Sequence, residues 1–188
     1  GDDWWYSDRV LETLNKVYQS THSLITYGRL IWMPQMHLPA RYKTPSHIIK
    51  KNAFRDYSWL YSGLRSYYVW LFKKIKIEDL LFRGEFIRSH CDSAYFFPLL
   101  EMAGFRQTFI PDIFYVANRA TGINNYVVSS SLQRTMLHYV KRLSKYKPIL
   151  TSIGYKVPDD VDKKLEYIKN FDQETDIIVP FVGFNNNP

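Results

Sequence analysis

The sequence predicts an α/β fold, a small mixed sheet flanked by helices. Three observations carry that reading. Apolar residues recur at helical spacing, at Val10, Leu11, Leu14, Val17 and Tyr18 and again at Leu132, Met136, Tyr139, Val140 and Leu143. Short runs rich in β-branched and aromatic residues, Leu24–Tyr27, Thr108–Ile110 and Ile113–Val116, alternate with these segments. Glycine or proline marks the junctions, at Gly28, Gly84, Gly104, Pro111 and Pro148.

In chain order, Ser7 is the expected N-cap of a helix reaching about Ser20. Leu24-Ile25-Thr26-Tyr27 follows as a short strand stopped by Gly28. Residues 33–58 hold Pro34, Pro39 and Pro45 and read as a long excursion, the kind of loop that is usually functional or disordered. From Trp59 to about Ile75, Leu60, Leu64, Tyr67, Tyr68, Leu71 and Phe72 suggest an aromatic helix. Gly84 marks a turn within the ambiguous stretch Ile77–Ile87. A helix is expected from Asp92 or Ser93 to Gly104, which stands where a C′ glycine belongs. Two strands flank Pro111, and Ser129–Tyr146 is the next helix. Asp159 or Asp160 caps a short helix with Val161, Leu165 and Ile168, and Ile177-Ile178-Val179 is the last strand.

Composition narrows the class. The 188 residues suit one domain, and 46% apolar content supports a real core. The 17% aromatic share suits a wide, half-polar cleft as readily as a dry core. One cysteine, Cys91, excludes an internal disulfide and points to a reducing, cytoplasmic setting. No apolar run approaches the ~20 residues of a membrane span. The net charge of +7 is uneven: residues 41–90 carry eleven Lys/Arg against four Asp/Glu, and residues 155–188 four against seven. A basic middle attracts phosphates, whether of a nucleotide, a nucleic acid or anionic lipid, or serves only as a solvated face.

The chain opens on Gly1-Asp2-Asp3, followed by Trp4 and Trp5, with no initiator Met and no preceding strand. Adjacent carboxylates at a turn can hold a hard divalent cation, Mn²⁺ or Mg²⁺, which in turn holds a diphosphate; turn and cap chemistry is the plainer use. The opening suggests the later part of a longer protein, cut at its metal site. Further on, His90-Cys91-Asp92-Ser93 leads into the run that ends at Gly104. Asp92 there could be a helix cap, or a carboxylate fixed by the helix and facing a cleft, where it could accept a proton from a hydroxyl.

Together with the order of helices and strands, these residues resemble the C-terminal half of a family 2 glycosyltransferase with the GT-A fold. That family carries an Asp-x-Asp-Asp turn, and Gly1-Asp2-Asp3-Trp4 is similar to its later positions; its first Asp has no counterpart here. Asp92 through Gly104 is similar to the family's acid-capped helix. Ile110-Pro111-Asp112-Ile113-Phe114-Tyr115-Val116-Ala117-Asn118-Arg119 looks like the strand that runs into its Tyr- and Arg-containing stretch. Where the family often has a His after that stretch, this chain has Ala120-Thr121-Gly122-Ile123-Asn124. The resemblance covers residues 1–147, the acceptor-binding and catalytic half, and leaves 148–188 as a C-terminal helix, connector and edge strand or the opening of a second domain.

The resemblance implies inverting transfer of a sugar from a nucleotide-sugar donor to a saccharide, lipid-linked or protein acceptor. It implies Asp2 and Asp3 as ligands of Mn²⁺ or Mg²⁺ and Asp92 as the base. Trp4, Arg65, His90, Asn118 and Arg119 are the expected substrate contacts, with plainer alternatives for several. Arg65 lies among aromatics that suit core packing, His90 suits a core or surface position, and Arg119 is either a bidentate phosphate ligand or an exposed loop residue. The nucleotide-binding half is expected to be missing, so this piece alone is expected to be inactive. The basic, amphipathic Trp70–Lys76 stretch leaves peripheral membrane attachment open beside its reading as a solvated helix end. The competing class is a basic, aromatic-rich nucleic-acid-binding module without catalysis. Against it, basic and aromatic residues are not interleaved in a known nucleic-acid motif, so no nucleic-acid partner is expected.

Overall fold

The computed structural model describes residues 3–120 and 130–149, together with the backbone of the strand at 177–178. It is a mixed α/β fold built on a curled mixed sheet. The elements are β1 (Trp4–Trp5), α1 (Val10–Thr21), β2 (Ile25–Met33), α2 (Ser46–Lys50), β3 (Arg65–Tyr68), α3 (Val69–Phe72), β4 (Leu81–Phe82), β5 (Glu85–Phe86), α4 (Cys91–Ala103), β6 (Gln107–Asn118), α5 (Ser130–Arg142) and β7 (Ile177–Ile178). Five strands form the main sheet in the order β1-β6-β2-β3-β7, and β4-β5 is a separate hairpin. Among the described residues only β2 and β6 run parallel; β1, β3 and β7 each pair antiparallel.

Strand alternation sends neighbouring side chains to opposite faces, and both faces are covered. Ile25, Tyr27 and Tyr67 join the larger core with Phe96, Phe97, Leu99 and Leu100 of α4 and Met136 and Val140 of α5. On the other face Val10 and Leu14 of α1 pack on Leu64, Ile110 and Phe114. Thr26 and Ser66 face α1 as well, and their buried hydroxyls bond to each other (2.6 Å) and to the Tyr18 hydroxyl (Tyr18 Oη to Ser66 Oγ, 3.0 Å). Buried polar groups are tolerated here because they satisfy one another.

Several expectations need correction. Ser7 does not cap α1; its hydroxyl accepts from the Arg9 N–H in the preceding turn (3.1 Å), and the helix starts at Val10. Leu11, placed on the apolar face, is 54% exposed. Gly28 does not stop β2, which continues to Met33. Instead the chain crowds there: a Cβ on Gly28 would stand 3.1 Å from the Ile110 carbonyl oxygen. One on Gly63 would stand 2.9 Å from the Arg29 carbonyl oxygen and closer still to that of Gly28. A lone strand glycine at a bulge is the expected signature of such an approach.

The two strands expected around Pro111 are one, β6. Gly28 pairs with Ile110 and Arg29 with Ile113, so Pro111 and Asp112 bulge out of the ladder. Proline has no N–H to contribute to the ladder, and a bulge is where it costs least. The aromatic helix expected over Trp59–Ile75 is a strand, β3, followed by a single turn, α3. Ladder bonds to Ile25–Tyr27 outweigh the helix-like spacing of that run.

Other expectations hold. The Gly84 turn closes the β4–β5 hairpin, with Arg83 and Gly84 both at positive φ (55° and 84°) as a tight hairpin turn requires. Gly104 ends α4 at φ 55°. Ile177–Ile178 pairs with Tyr67–Tyr68 at the sheet edge. The helix expected after Asp159 or Asp160 lies outside the described residues. Among the described residues no helix is long and apolar enough to cross a membrane.

A buried ion pair fixes the helical layer. Arg55 reaches Glu101 on α4 through Nε to Oε1 (2.6 Å) and Nη2 to Oε2 (2.8 Å). Its Nη1 donates to the carbonyls of Val140, which also accepts the Leu143 N–H, and Leu143 at the end of α5 (2.8 and 3.0 Å). Part of the basic surplus in the middle of the sequence is therefore internal structure rather than surface.

Candidate functional site

The carboxyl ends of the parallel strands β2 and β6 meet at the register pair Met33–Asn118. In open α/β sheets this is the edge where ligands bind. Strand β1 brings Asp3 to it by pairing Trp4 with Val116 and Trp5 with Tyr115. The Asp3 carboxylate is held at both oxygens: the Tyr115 hydroxyl donates to Oδ2 (2.6 Å) and the Asn118 backbone N–H to Oδ1 (2.8 Å). Burial first, then the hydrogen bond to Asp3 and its charge, pushes the Tyr115 pKa well above the ordinary tyrosine value. The phenol thus stays a donor.

A carboxylate offers about four lone-pair directions. Two are taken by these bonds, leaving an oriented oxygen on each side. Such a donor suits a hard divalent cation, and the tyrosine and amide are the kind of outer partners that orient a ligand. Asp2, the other expected metal ligand, lies outside the described residues. Among the described residues no group of three or more His, Cys, Asp or Glu side chains is assembled to hold a metal.

The second carboxylate is held by an arginine. Arg65 opens β3, and its Nη1 donates to Asp92 Oδ2 (3.0 Å); the side chains are 15% and 33% exposed. The guanidinium lies over Tyr95 and Phe96, 5.9 and 5.7 Å from their ring centroids. Burial opposes the Arg65 charge, but Tyr95, Asp92 and Tyr115 outweigh it and raise its pKa further. The site therefore comprises two hydrogen-bonded pairs, Asp3 with Tyr115 and Asp92 with Arg65. Arg65 is thus neither plain core packing nor a surface group.

Asp92 is not the cap of α4. That position belongs to His90, which has left-handed backbone (φ 55°), and Asp92 lies in the first turn, where its Oδ1 accepts the Ser93 N–H (2.9 Å). A negative charge there is favoured by the helix dipole. His90 Nδ1 lies 4.0 Å from Asp92 Oδ1 and 3.2 Å from Ser93 Oγ, so the histidine borders the carboxylate.

The remaining expected residues divide. Asn118 orients Asp3 through its backbone, and its side-chain oxygen accepts the Ala120 N–H (3.0 Å). Arg119 lies with Cζ 3.5 Å from the centroid of the Trp32 ring, and its N–H donates to the Met33 carbonyl (2.9 Å). Trp4 is 41% exposed, and alternation turns its ring to the face opposite Trp5. Among the described residues no hydrogen bond or ring contact draws Trp4 into the cluster.

Sequence reasoning missed Tyr95. Tyr95 follows Asp92 by three positions on α4, which puts both on one helical face. No family model, curated protein or solved structure matches the chain.

Proposed function

We propose that this chain is the acceptor-binding and catalytic half of a GT-A-like glycosyltransferase that moves a sugar from a nucleotide-sugar donor to an acceptor hydroxyl with inversion. The observation that carries the reading is a pair of oriented carboxylates, Asp3 held by the Tyr115 hydroxyl and the Asn118 N–H, and Asp92 held by the Arg65 guanidinium and the Ser93 N–H. The two carboxylates, far apart in sequence, are held differently. Asp3 is oriented by uncharged donors, which suits an oxygen ligand. Asp92 is steadied by one guanidinium contact and one backbone N–H, with lone pairs left on both oxygens.

In this scheme the acceptor oxygen attacks the anomeric carbon and the bond to the diphosphate breaks. The hydroxyl proton passes to Asp92, and the nucleoside diphosphate departs. A bound Mn²⁺ or Mg²⁺ would neutralise charge on that leaving group. Arg65 fixes the rotamer of Asp92, and Tyr95 and Phe96 fix Arg65. Most of the rate then comes from positioning and charge stabilisation.

The test is Asp92→Asn in the full-length protein. Transfer from nucleotide sugar should fall about 10²- to 10⁴-fold, the usual worth of a positioned base, while the circular dichroism spectrum and melting temperature hold. Transfer at the parent rate removes Asp92 from the role. The nucleic-acid alternative draws less support, because Arg55 and Arg65 from the basic stretch are committed to Glu101 and Asp92.

A further inference from the structure

The β4–β5 hairpin leaves an aromatic side chain outside the core. Its register pairs are Leu81 with Phe86 and Phe82 with Glu85. Phe82 turns inward, with its ring centroid 4.9 Å from that of Tyr139 on α5, and the Tyr139 hydroxyl donates to the Leu81 carbonyl (2.9 Å). Alternation therefore sends Leu81 and Phe86 to the face away from Tyr139, and Phe86 is 65% exposed. The turn leading into β4 adds Ile77, 51% exposed. That turn is held to the hairpin, because the Ile87 N–H donates to the Leu80 carbonyl (3.0 Å). Single exposed apolar residues are ordinary; two on one small unit ask for a covering surface.

Cations frame this unit. Lys73, Lys74 and Lys76 precede Ile77, Arg83 stands at the hairpin turn and Arg88 follows Phe86, all of them exposed. Glu85 pairs with Arg88 (3.2 Å) and Asp79 accepts from the Tyr146 hydroxyl (2.6 Å), so Glu78 is the remaining acid of the unit. Arg83 lies over the Phe82 ring (5.2 Å) and Lys74 over that of Trp70 (5.9 Å) rather than on carboxylates. Among the described residues Lys73, Lys74, Lys76 and Arg83 make no ion pair. The neighbouring α5 adds no negative charge, since residues 130–147 hold Arg134, Lys141, Arg142, Lys145 and Lys147 and no Asp or Glu. The Trp70–Lys76 stretch alone has no apolar face to insert, because Leu71 and Ile75 are buried in the larger core. Ile77 and Phe86 supply that face instead.

We propose that the β4–β5 hairpin and the turn before it dock on an anionic lipid surface, Phe86 and Ile77 entering the headgroup boundary and Lys73, Lys74, Lys76 and Arg83 meeting the lipid anions. A bilayer suits the surface better than a protein groove does. Two apolar side chains bury far less than a specific protein interface requires, whereas apolar groups beside a cluster of cations suffice for reversible attachment to anionic lipid. The long cationic side chains can reach headgroups while the apolar ones sit deeper. The inference is independent of the sugar-transfer reading and uses neither Asp3 nor Asp92.

The experiment co-sediments the full chain with vesicles of phosphatidylcholine alone and of phosphatidylcholine mixed with phosphatidylserine. The parent should pellet with the mixed vesicles and stay in solution with phosphatidylcholine. Phe86→Ser should weaken binding about tenfold, as expected when an aromatic side chain no longer leaves water. Lys73→Gln combined with Lys76→Gln should weaken it roughly 30-fold. The charge-matched pair Arg9→Gln with Lys16→Gln, at α1 on the other face of the sheet, should bind like the parent. All five side chains are exposed, so the melting temperatures should match. Failure of the parent to pellet with mixed vesicles, parent-like binding by Phe86→Ser, or equal weakening by the α1 pair overturns the proposal. Displacement of the vesicles by a single-stranded oligonucleotide, with Phe86→Ser unaffected, assigns the lysines to nucleic acid and also overturns it.

Discussion

Arg65 Nη1 donates to Asp92 Oδ2 across 3.0 Å, tying the first residue of β3 to the first turn of α4. The contact joins sheet to helix, so whatever orients Asp92 also depends on strand pairing. Arg65 lies opposite Tyr27 in the register, and its guanidinium is sandwiched between the carboxylate and two rings. Removing the guanidinium leaves a part-buried carboxylate with only a backbone donor.

Arg65→Met should therefore destabilise the fold by about 1.5–3 kcal/mol, the range for hydrogen bonds to charged groups. Urea unfolding measures it. Arg65→Lys should recover part of the stability but not the orientation of Asp92, because an ammonium lacks the planar fork. If the lysine variant matched the parent in both stability and transfer, the guanidinium geometry would be irrelevant.

Tyr115→Phe removes one of the two donors that aim Asp3 while leaving the ring in place. On the metal-binding reading of Asp3, Mn²⁺ affinity should fall about 10- to 100-fold, as for other lost outer-shell partners. Electron paramagnetic resonance of free Mn²⁺ reports this directly. Stability should change by only about 1 kcal/mol. Unchanged Mn²⁺ binding would separate Asp3 from the metal.

How far the site was legible follows from how each residue acts. Asp3, Asp92, Arg65 and Arg119 announce themselves by residue type beside turns or helix starts, and α4 by its terminal glycine. The bond between Asp3 and Tyr115 is not legible, since it depends on the β1–β6 register, a long-range pairing. Strand β3 failed for the same reason: Tyr67, Tyr68, Leu71 and Phe72 fit helical spacing, yet partner strand β2 decides their conformation. Gly28 was misread as a stop because a glycine at a bulge and one at a turn look alike in sequence.

Gly63→Ala should destabilise the fold by about 1–3 kcal/mol, the usual cost of overpacking. The added carbon would meet the carbonyl oxygens of Gly28 and Arg29, and backbone cannot swing aside as a side chain does. Gly84→Ala is no control for packing, because Gly84 is at positive φ (84°) and any side chain is strained there; Gly63→Ser, which adds the same clash, is the proper companion. Wild-type melting in both Gly63 variants would mean the strands can separate freely there.

The Tyr146 hydroxyl donates to Asp79 Oδ2 (2.6 Å) and accepts the Lys76 N–H (2.8 Å), fastening the segment after α5 to the turn before β4. Burial, then the bond to Asp79, pushes its pKa up to about 12. An unfolded tyrosine titrates near about 10. The folded state therefore holds this proton more tightly, so the contribution is whole below about pH 10 and fades as pH rises through the folded value. Tyr146→Phe should cost about 1 kcal/mol at neutral pH and lose less stability than the parent between roughly pH 10 and 12. Parallel stability curves for the two proteins across that window would show that the phenol plays no part.

The buried pair of Arg55 and Glu101 gives the sharpest energetic test. Both side chains are almost wholly inside, and every Arg55 bond lands on Glu101 or on the carbonyls of Val140 and Leu143. Glu101 Oε2 also accepts the Tyr146 N–H (2.9 Å). Desolvation alone raises the Glu101 pKa, and Arg55 works against that shift without cancelling it. Glu101→Leu strands an arginine charge in the core and should cost about 3–5 kcal/mol. Pairing it with Arg55→Met removes both charges and should restore much of the loss, because an apolar replacement no longer carries the desolvation penalty. The restoration should be incomplete: the Leu143 carbonyl and the Tyr146 amide lose these partners in the double variant, each at about 1–3 kcal/mol. Chemical denaturation of the four proteins closes the cycle, and strictly additive losses would mean the two residues are stabilised independently of one another.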